Sequence, residues 1–351
     1  MRSLKAISSV LALTLLMSGC AAGKVQEEPV TETTFEESTT TTTTACTTTE
    51  ITTTVREDPI EFNPHVYSAK LAESIGEDHW QAFYNLCDAL RKGEDSFECS
   101  NMESYLWATD TITLRDLFPF AAMKVSQADD PYEAGIGKIK YIMPKEEFVK
   151  GEKDFEDQVT ADLNKYVKSS YSDFEKCVAL YDYMETEYTY DYDWDTYDDD
   201  GLVYQCFKSR TGLCVELAGV YSYMLLQVGI DALSCSCFSD ICHSWTYVTL
   251  KGKGYHIDPT WGLRSESGDG SLSLTYFLNT DSDRKTDGVN FDDCCIQLLP
   301  EYWLKDFDKD FSATDDSYNE FWMATFSRMD TDKNILYYLK GDEEHEFHYE
   351  D

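Results

Sequence analysis

Basic side chains are scarce: 29 Lys and Arg stand against 66 Asp and Glu over 351 residues, a formal net charge of −37. That balance excludes a nucleic-acid partner, because holding phosphates needs cationic groups that displace their counterions. After residue 20 no segment approaches the roughly 20 uncharged residues of a membrane-crossing helix. Cysteine, at 12 residues, is too sparse for a disulfide-held miniprotein. Gly135 and Gly137 have neither a glycine-rich continuation nor a following Lys-Ser/Thr, so they read as a turn into a strand and not as a phosphate loop. Asp330-Thr331-Asp332-Lys333-Asn334 has the alternating oxygens of a calcium loop but lacks its central glycine and its twelfth-position glutamate. A turn before the strand Ile335–Tyr338 is expected there instead. Cys235-Ser236-Cys237 with Cys242-His243 lacks the separated second ligand pair of a structural zinc site, so no metal and no cofactor is expected. Those thiols read as small strand residues or disulfide partners, since export would permit disulfides.

Apolar and aromatic residues are plentiful, at 42% and 14%, which rules out a wholly disordered acidic chain. Residues 1–20 run from basic Arg2 and Lys5 through apolar Ala6–Met17 to small residues before Cys20, the pattern of a secretory signal. Met17-Ser18-Gly19-Cys20 resembles the lipobox of bacterial lipoproteins, which implies a lipid on Cys20 and a protein anchored at the outer cell surface. Losing that segment removes two cations and no acid, so the exported part is more acidic still. Residues 31–54 hold 15 Thr in 24 positions with no hydrophobic period, and residues 21–61 are expected to form a disordered spacer in which Cys46 stays unpaired.

Two folded regions are expected beyond it, an α/β accessory region over 62–165 and a second region over 166–350. Helical spacing runs through Val66, Ala69, Leu71 and Ile75, then Trp80, Phe83, Leu86 and Leu90 to a stop at Gly93. Residues 117–126 and 136–143 read as strands, and 153–188 as two helices broken near Ser169–Ser172. An acidic, aromatic loop spans Glu185–Asp200, most of its charge solvated and the rest a rim. Residues 214–228 return to helix with Gly229 as its stop, and strands follow at 231–238, 243–250 and 254–258. Helices followed by an antiparallel run of strands make the fold class α+β.

Chemistry concentrates in three short blocks. Cys214 follows a glycine-containing turn at the first turn of an apolar helix, where backbone N–H groups and the helix dipole favour a thiolate. His243 and Asp258 each sit near the end of a strand, joined by the hairpin signal Lys251-Gly252-Lys253-Gly254. Antiparallel pairing there brings an imidazole beside a carboxylate, which would orient the ring to take the thiol proton. These blocks, Gly212-Leu213-Cys214, His243-Ser244-Trp245 and Tyr255-His256-Ile257-Asp258-Pro259-Thr260-Trp261, resemble the transglutaminase-like superfamily in order and spacing, most closely over 170–262. The resemblance implies a papain-like core, with Cys214 as nucleophile, His243 as general acid/base and Asp258 as its orienter. It also implies that Tyr276–Thr280 is the strand following the core. The Cys214 backbone N–H is expected in the oxyanion hole, with Gln205 set aside as a surface-loop residue. His256 is expected behind the cleft or exposed, and His65, His79, His345 and His348 carry no motif.

The expected function is cysteine-dependent acyl transfer, peptide hydrolysis first and protein crosslinking second. A non-catalytic scaffold binding peptide or cell-wall polymer is the alternative from another class. The expected partners are a peptide substrate, cationic or Lys-bearing, and the membrane through the N-terminal lipid; a monomer is expected.

Overall fold

The computed structural model describes residues 57–192, 202–238, 241–265, 270–299 and 307–350. All belong to one compact unit, Val55–Asp351. The signal segment, Cys20, Cys46, most of the Thr-rich spacer and Asp193–Asp200 lie outside the described residues.

Helix α2 (Glu77–Lys92) buries the stripe expected of it, whereas α1 (Ala69–Ile75) buries Leu71 and Ala72 but leaves Ala69 exposed and starts after Val66; Gly93 closes α2 in the left-handed conformation at φ 68°. Acids in the first turn of α2 and bases in its last match the helix dipole. A small sheet of β1 (Ser96–Glu98), β2 (Val125–Glu133) and β3 (Ile136–Tyr141), in the order β1-β3-β2, encloses α3 (Met102–Ala108) and α4 (Thr111–Leu117) in the chain. Leu117–Ala121, expected as strand, instead ends α4 and forms a 3-10 turn at Pro119–Ala121. Pro119 supplies a φ suited to a first turn and has no N–H to give a sheet, while continuous burial of Phe118 to Ala122 hides the period.

Helix α5 (Lys145–Tyr166) starts earlier than expected and is followed by α6 (Asp173–Glu187). Ser172 and Glu175 form a capping box there, which is why the chain breaks at the serines. Glu185 and Glu187 are thereby helical, and Glu185 is buried, so it is neither solvated nor on a rim. After β4 (Thr189–Tyr190) comes α7 (Leu202–Ser209), then β5 (Thr211–Gly212), which pairs parallel to β4. Gln205 therefore stands on a helix, not on a surface loop.

Helix α8 (Cys214–Gln227) is buried at every position from Glu216 onward. It lies against an antiparallel sheet of β6 (Asp231–Phe238), β7 (Cys242–Leu250) and β8 (Lys253–Ile257), joined by α9 (Asp281–Thr286) and β9 (Cys294–Cys295) in the chain, with strand order β8-β7-β6-β9. Lys251 and Gly252, at φ 50° and 75°, make the two-residue turn between β7 and β8. Tyr276–Thr280 is not a regular strand: Leu278 at φ 56° breaks the extended path, leaving one bridge between His256 and Asn279. Beyond α10 (Phe307–Asp310), strands β10 (Thr325–Asp330), β11 (Ile335–Lys340) and β12 (Glu343–His348) form a three-stranded meander. Asp330–Asn334 is the turn within it, with Lys333 paired to Asp330.

The N-terminal elements share the core of the rest. Asn63 and Gln227 exchange two hydrogen bonds of 2.8 Å, and Trp107 donates to the Leu298 carbonyl at 3.1 Å. None of the ten described cysteines is in a disulfide, and Cys237 and Cys294 face each other across β6 and β9. The mixed helix and strand content makes the fold α+β.

Candidate active site

Arg210, at φ 61°, turns the chain from α7 into β5 and is held by an ion pair of 2.6 Å to Asp162. Gly212 follows, where a Cβ would stand 2.7 Å from Cys206 Sγ and 3.1 Å from Glu216 Cβ, so only glycine lets the strand pass so close to both helices. The Leu213 N–H donates to the buried Glu216 carboxylate at 2.7 Å. Cys214 then opens α8, half-buried, with a backbone N–H of the kind that has no acceptor inside its own helix.

Strand register brings the other two residues together. Thr246 pairs with Ile257, so Asp258, one residue past β8, falls opposite Trp245 and on the face shared by Trp245 and His243. His243 Nε2 lies 2.7 Å from Asp258 Oδ2. That leaves Nδ1 as the ring nitrogen without a carboxylate, and Cys214 is near enough to favour the charge on the imidazole. Asp258 is wholly buried, and its Oδ1 accepts the N–H groups of Thr260 and Trp261, each at 3.1 Å. Trp261 stacks on the imidazole at 4.4 Å between centroids and 7° between planes.

Burial opposes a charge on His243, but Asp258 and the hydrogen bonds to Asp258 and Cys214 outweigh it and raise the imidazole to about 9. Burial would likewise raise Asp258, yet His243 and Arg284 hold it below the ordinary carboxylate range. Sequence reasoning missed Arg284, which donates to Asp258 Oδ2 at 2.9 Å from α9; no motif surrounds it, and only the tertiary fold reveals it.

His256 is fully buried, which removes the exposed placement allowed for it. Its Nδ1 accepts from the Trp245 indole at 3.0 Å, so Nε2 carries the proton and donates to Asp281 at 2.9 Å. Burial pushes it down, keeping the ring neutral. Tyr190, Tyr192, Trp261 and Tyr276 wall a cleft of about 470 Å³ that also reaches His243, Thr260 and Asp287. Among the described residues no group of three or more His, Cys, Asp or Glu is placed to hold a metal.

Residues 159–259 match the profile of the transglutaminase-like superfamily. They form a transglutaminase-like domain. The matched segment begins inside α5 and ends just after Asp258, so the domain contains all three residues singled out above. A solved structure named "Putative Cysteine Protease from Cytophaga hutchinsonii" overlaps 30% of this chain at 12% identity and a TM-score of 0.26, and the overlap spans 37% of that chain. No curated protein matches the chain significantly.

Beside Asp258 lies Glu185, buried, with neither carboxyl oxygen hydrogen-bonded. Burial first, and Asp258 second, push this acid well above its usual range. Such a group supports folding below its unfolded pKa and loses that contribution as pH rises toward the folded value. Glu185→Gln is therefore expected to melt above the parent at pH 8, by on the order of 1 kcal/mol or more, and to match it near pH 4. Melting curves at the two pH values check this; a parent more stable than the variant at pH 8 contradicts it.

Proposed function

We propose that the chain is a cysteine-dependent acyl-transfer enzyme that hydrolyses peptides through Cys214, His243 and Asp258. The observation that carries this reading is the 2.7 Å contact from Asp258 Oδ2 to His243 Nε2, on an imidazole whose charge Cys214 also favours. In it His243, held as the imidazolium, keeps the thiol proton while sulfur attacks a substrate carbonyl, and the Cys214 backbone N–H receives the developing oxyanion. His243 then protonates the leaving amine, the C–N bond breaks, and a thioester remains on Cys214. Water, deprotonated by His243, attacks that thioester and restores the thiol. A primary amine in place of water would give crosslinking instead.

The substrate reading is a peptide with a cationic side chain. Four aromatic walls and the Asp287 carboxylate suit a cation, the faces of the rings by their quadrupoles and the carboxylate by its charge. No Lys or Arg lines the cleft among the described residues. Anchoring at the cell surface through a lipid on Cys20 completes the proposal and rests on the N-terminal sequence alone.

The test is a peptide library offered at low salt, with and without a fluorescent primary amine, to the parent and to Cys214→Ser. Cleavage of cationic peptides by the parent only, without amine incorporation, is expected. Amine incorporation that requires Cys214 would move the reading to crosslinking. Binding without either reaction would favour a scaffold, and a profile indifferent to charge would remove the cationic preference.

A further inference from the structure

Arg284 is 0% exposed and spans two carboxylates. Its Nη2 donates to Asp258 Oδ2 at 2.9 Å, the same oxygen that His243 reaches at 2.7 Å, and its Nη1 donates to Asp287 Oδ2 at 3.2 Å. The guanidinium lies 4.8 Å from the Trp245 ring centre and 4.7 Å from that of Trp261, so the two indoles hold it in place. Asp287 also lines the cleft, which makes Arg284 the link between the cleft wall and the carboxylate behind the imidazole.

A buried ion network of this kind is rarely worth more to stability than apolar side chains of the same volume, because desolvation offsets the attraction. The space between two indoles would accept such a side chain. The charge therefore calls for an explanation beyond packing. We propose that Arg284 is a positioning residue that pins Asp258 and, by sharing its Oδ2 atom, limits how strongly that carboxylate holds a proton on His243.

The proposal rests on the triad reading above. Of the other groups facing this network, the carboxylates of Asp281 and Asp283, on α9 with Arg284, are held by His256 and Thr280 and are the same in every variant below, and Tyr181 from α6 is pushed up by burial. Cys235 from β6 and Tyr276 are pushed up by burial and stay neutral, and His256 from β8 is pushed down and stays neutral. Glu185 from α6, beside Asp258, is pushed well up and holds its proton. What remains is Arg284 between Asp258 and Asp287, facing His243 and, through it, Cys214. Deleting the guanidinium leaves the imidazolium with the whole field of Asp258 and one repulsion fewer. Deleting the Asp287 charge does the opposite, since Arg284 then acts on Asp258 alone.

The measurement is the rate of Cys214 carboxymethylation by iodoacetate from pH 5 to pH 11, read by mass spectrometry on the Cys214 peptide so that Cys242 and the buried thiols do not interfere. The reagent's carboxylate is drawn to the imidazolium, so the rate falls where His243 loses its proton, near pH 9 in the parent. Arg284→Met is expected to move that fall up by about one pH unit and Arg284→Lys to move it less. Asp287→Asn is expected to move it down. A purely structural arginine would leave the position of the fall unchanged in folded variants, and that result overturns the proposal. If Arg284→Met shows no cooperative melt, Asp287→Asn, whose side chain borders the cleft, decides alone. His243→Gln separates the two readings: if it reproduces the parent profile, the triad itself fails and this proposal falls with it. If it abolishes the fall while Asp287→Asn and Arg284→Met leave it in place, only the proposal fails.

Discussion

Replacing Asp258 by asparagine is expected to lower the Cys214-dependent turnover about 10³–10⁴-fold, by the logic of an orienting carboxylate in a catalytic triad. The carboxylate accepts from His243 Nε2 at 2.7 Å and so keeps Nδ1 free to receive the thiol proton. An amide can present an N–H to Nε2 instead, which would turn Nδ1 into the protonated nitrogen and remove the base. The substitution also strands Arg284, whose other carboxylate contact, to Asp287, is longer at 3.2 Å. Leaving a buried charge without its main partner costs about 3–5 kcal/mol, so the variant should melt lower as well.

The pH dependence separates the two effects. Asp258 is held below its ordinary range, so its contribution to stability is present above the unfolded carboxylate pKa and is lost as pH falls through the folded value. The melting gap between parent and Asp258→Asn should therefore narrow in acid. Turnover is measured on whichever peptide the library selects, with melting followed from pH 3 to pH 8. A variant within tenfold of the parent rate would show that His243 does not depend on this carboxylate.

Phe174→Ala is expected to destabilise the fold by about 3–5 kcal/mol. Phe174 opens α6 and is buried, with Tyr318 stacked 5.5 Å away at 8° and Tyr349 at 4.7 Å. Phe347 on β12, Phe277 from the loop after β8 and Phe321 add further ring contacts. Tyr349 also donates to Glu175 on α6 at 2.6 Å, so one turn of that helix holds the C-terminal meander in place. Hydrogen exchange should then be fastest in Thr325–His348, with the β6–β8 sheet protected longer. Destabilisation below about 1 kcal/mol, with uniform exchange, would show that the meander is held elsewhere.

Local pattern was informative where one physical signal dominated. The helix after Cys214 reads as apolar on nearly every residue and is indeed central, and the strands expected at 231–238, 243–250 and 254–258 form at 231–238, 242–250 and 253–257, with the Lys251-Gly252 turn between the last two. It misled where burial was continuous, as at Phe118–Ala122, because period cannot tell strand from helix when every face is covered. It misled again at Tyr276–Thr280, where Leu278 takes a left-handed conformation that no composition rule anticipates. Charge was the least legible property. Glu185 looked like one acid among eight in a solvated loop and is a buried, unpaired group beside Asp258.

By itself, then, the chain's sequence determined an acidic α+β protein, the glycine before Cys214, and the three blocks whose order places a thiol, an imidazole and a carboxylate on one helix end and two adjacent strands. Each of these depends on neighbours within a few residues, or on a two-residue turn that sets register. Tertiary structure alone decided what surrounds them. Arg284 lies 26 residues beyond Asp258 on a short helix with no motif, yet it shares the oxygen that His243 uses. The aromatic cleft collects Tyr190 from β4 with Trp261 and Tyr276 from the long connection between β8 and α9. Electrostatics inside a protein follow distance and burial through space, and neither can be read from separation along the chain.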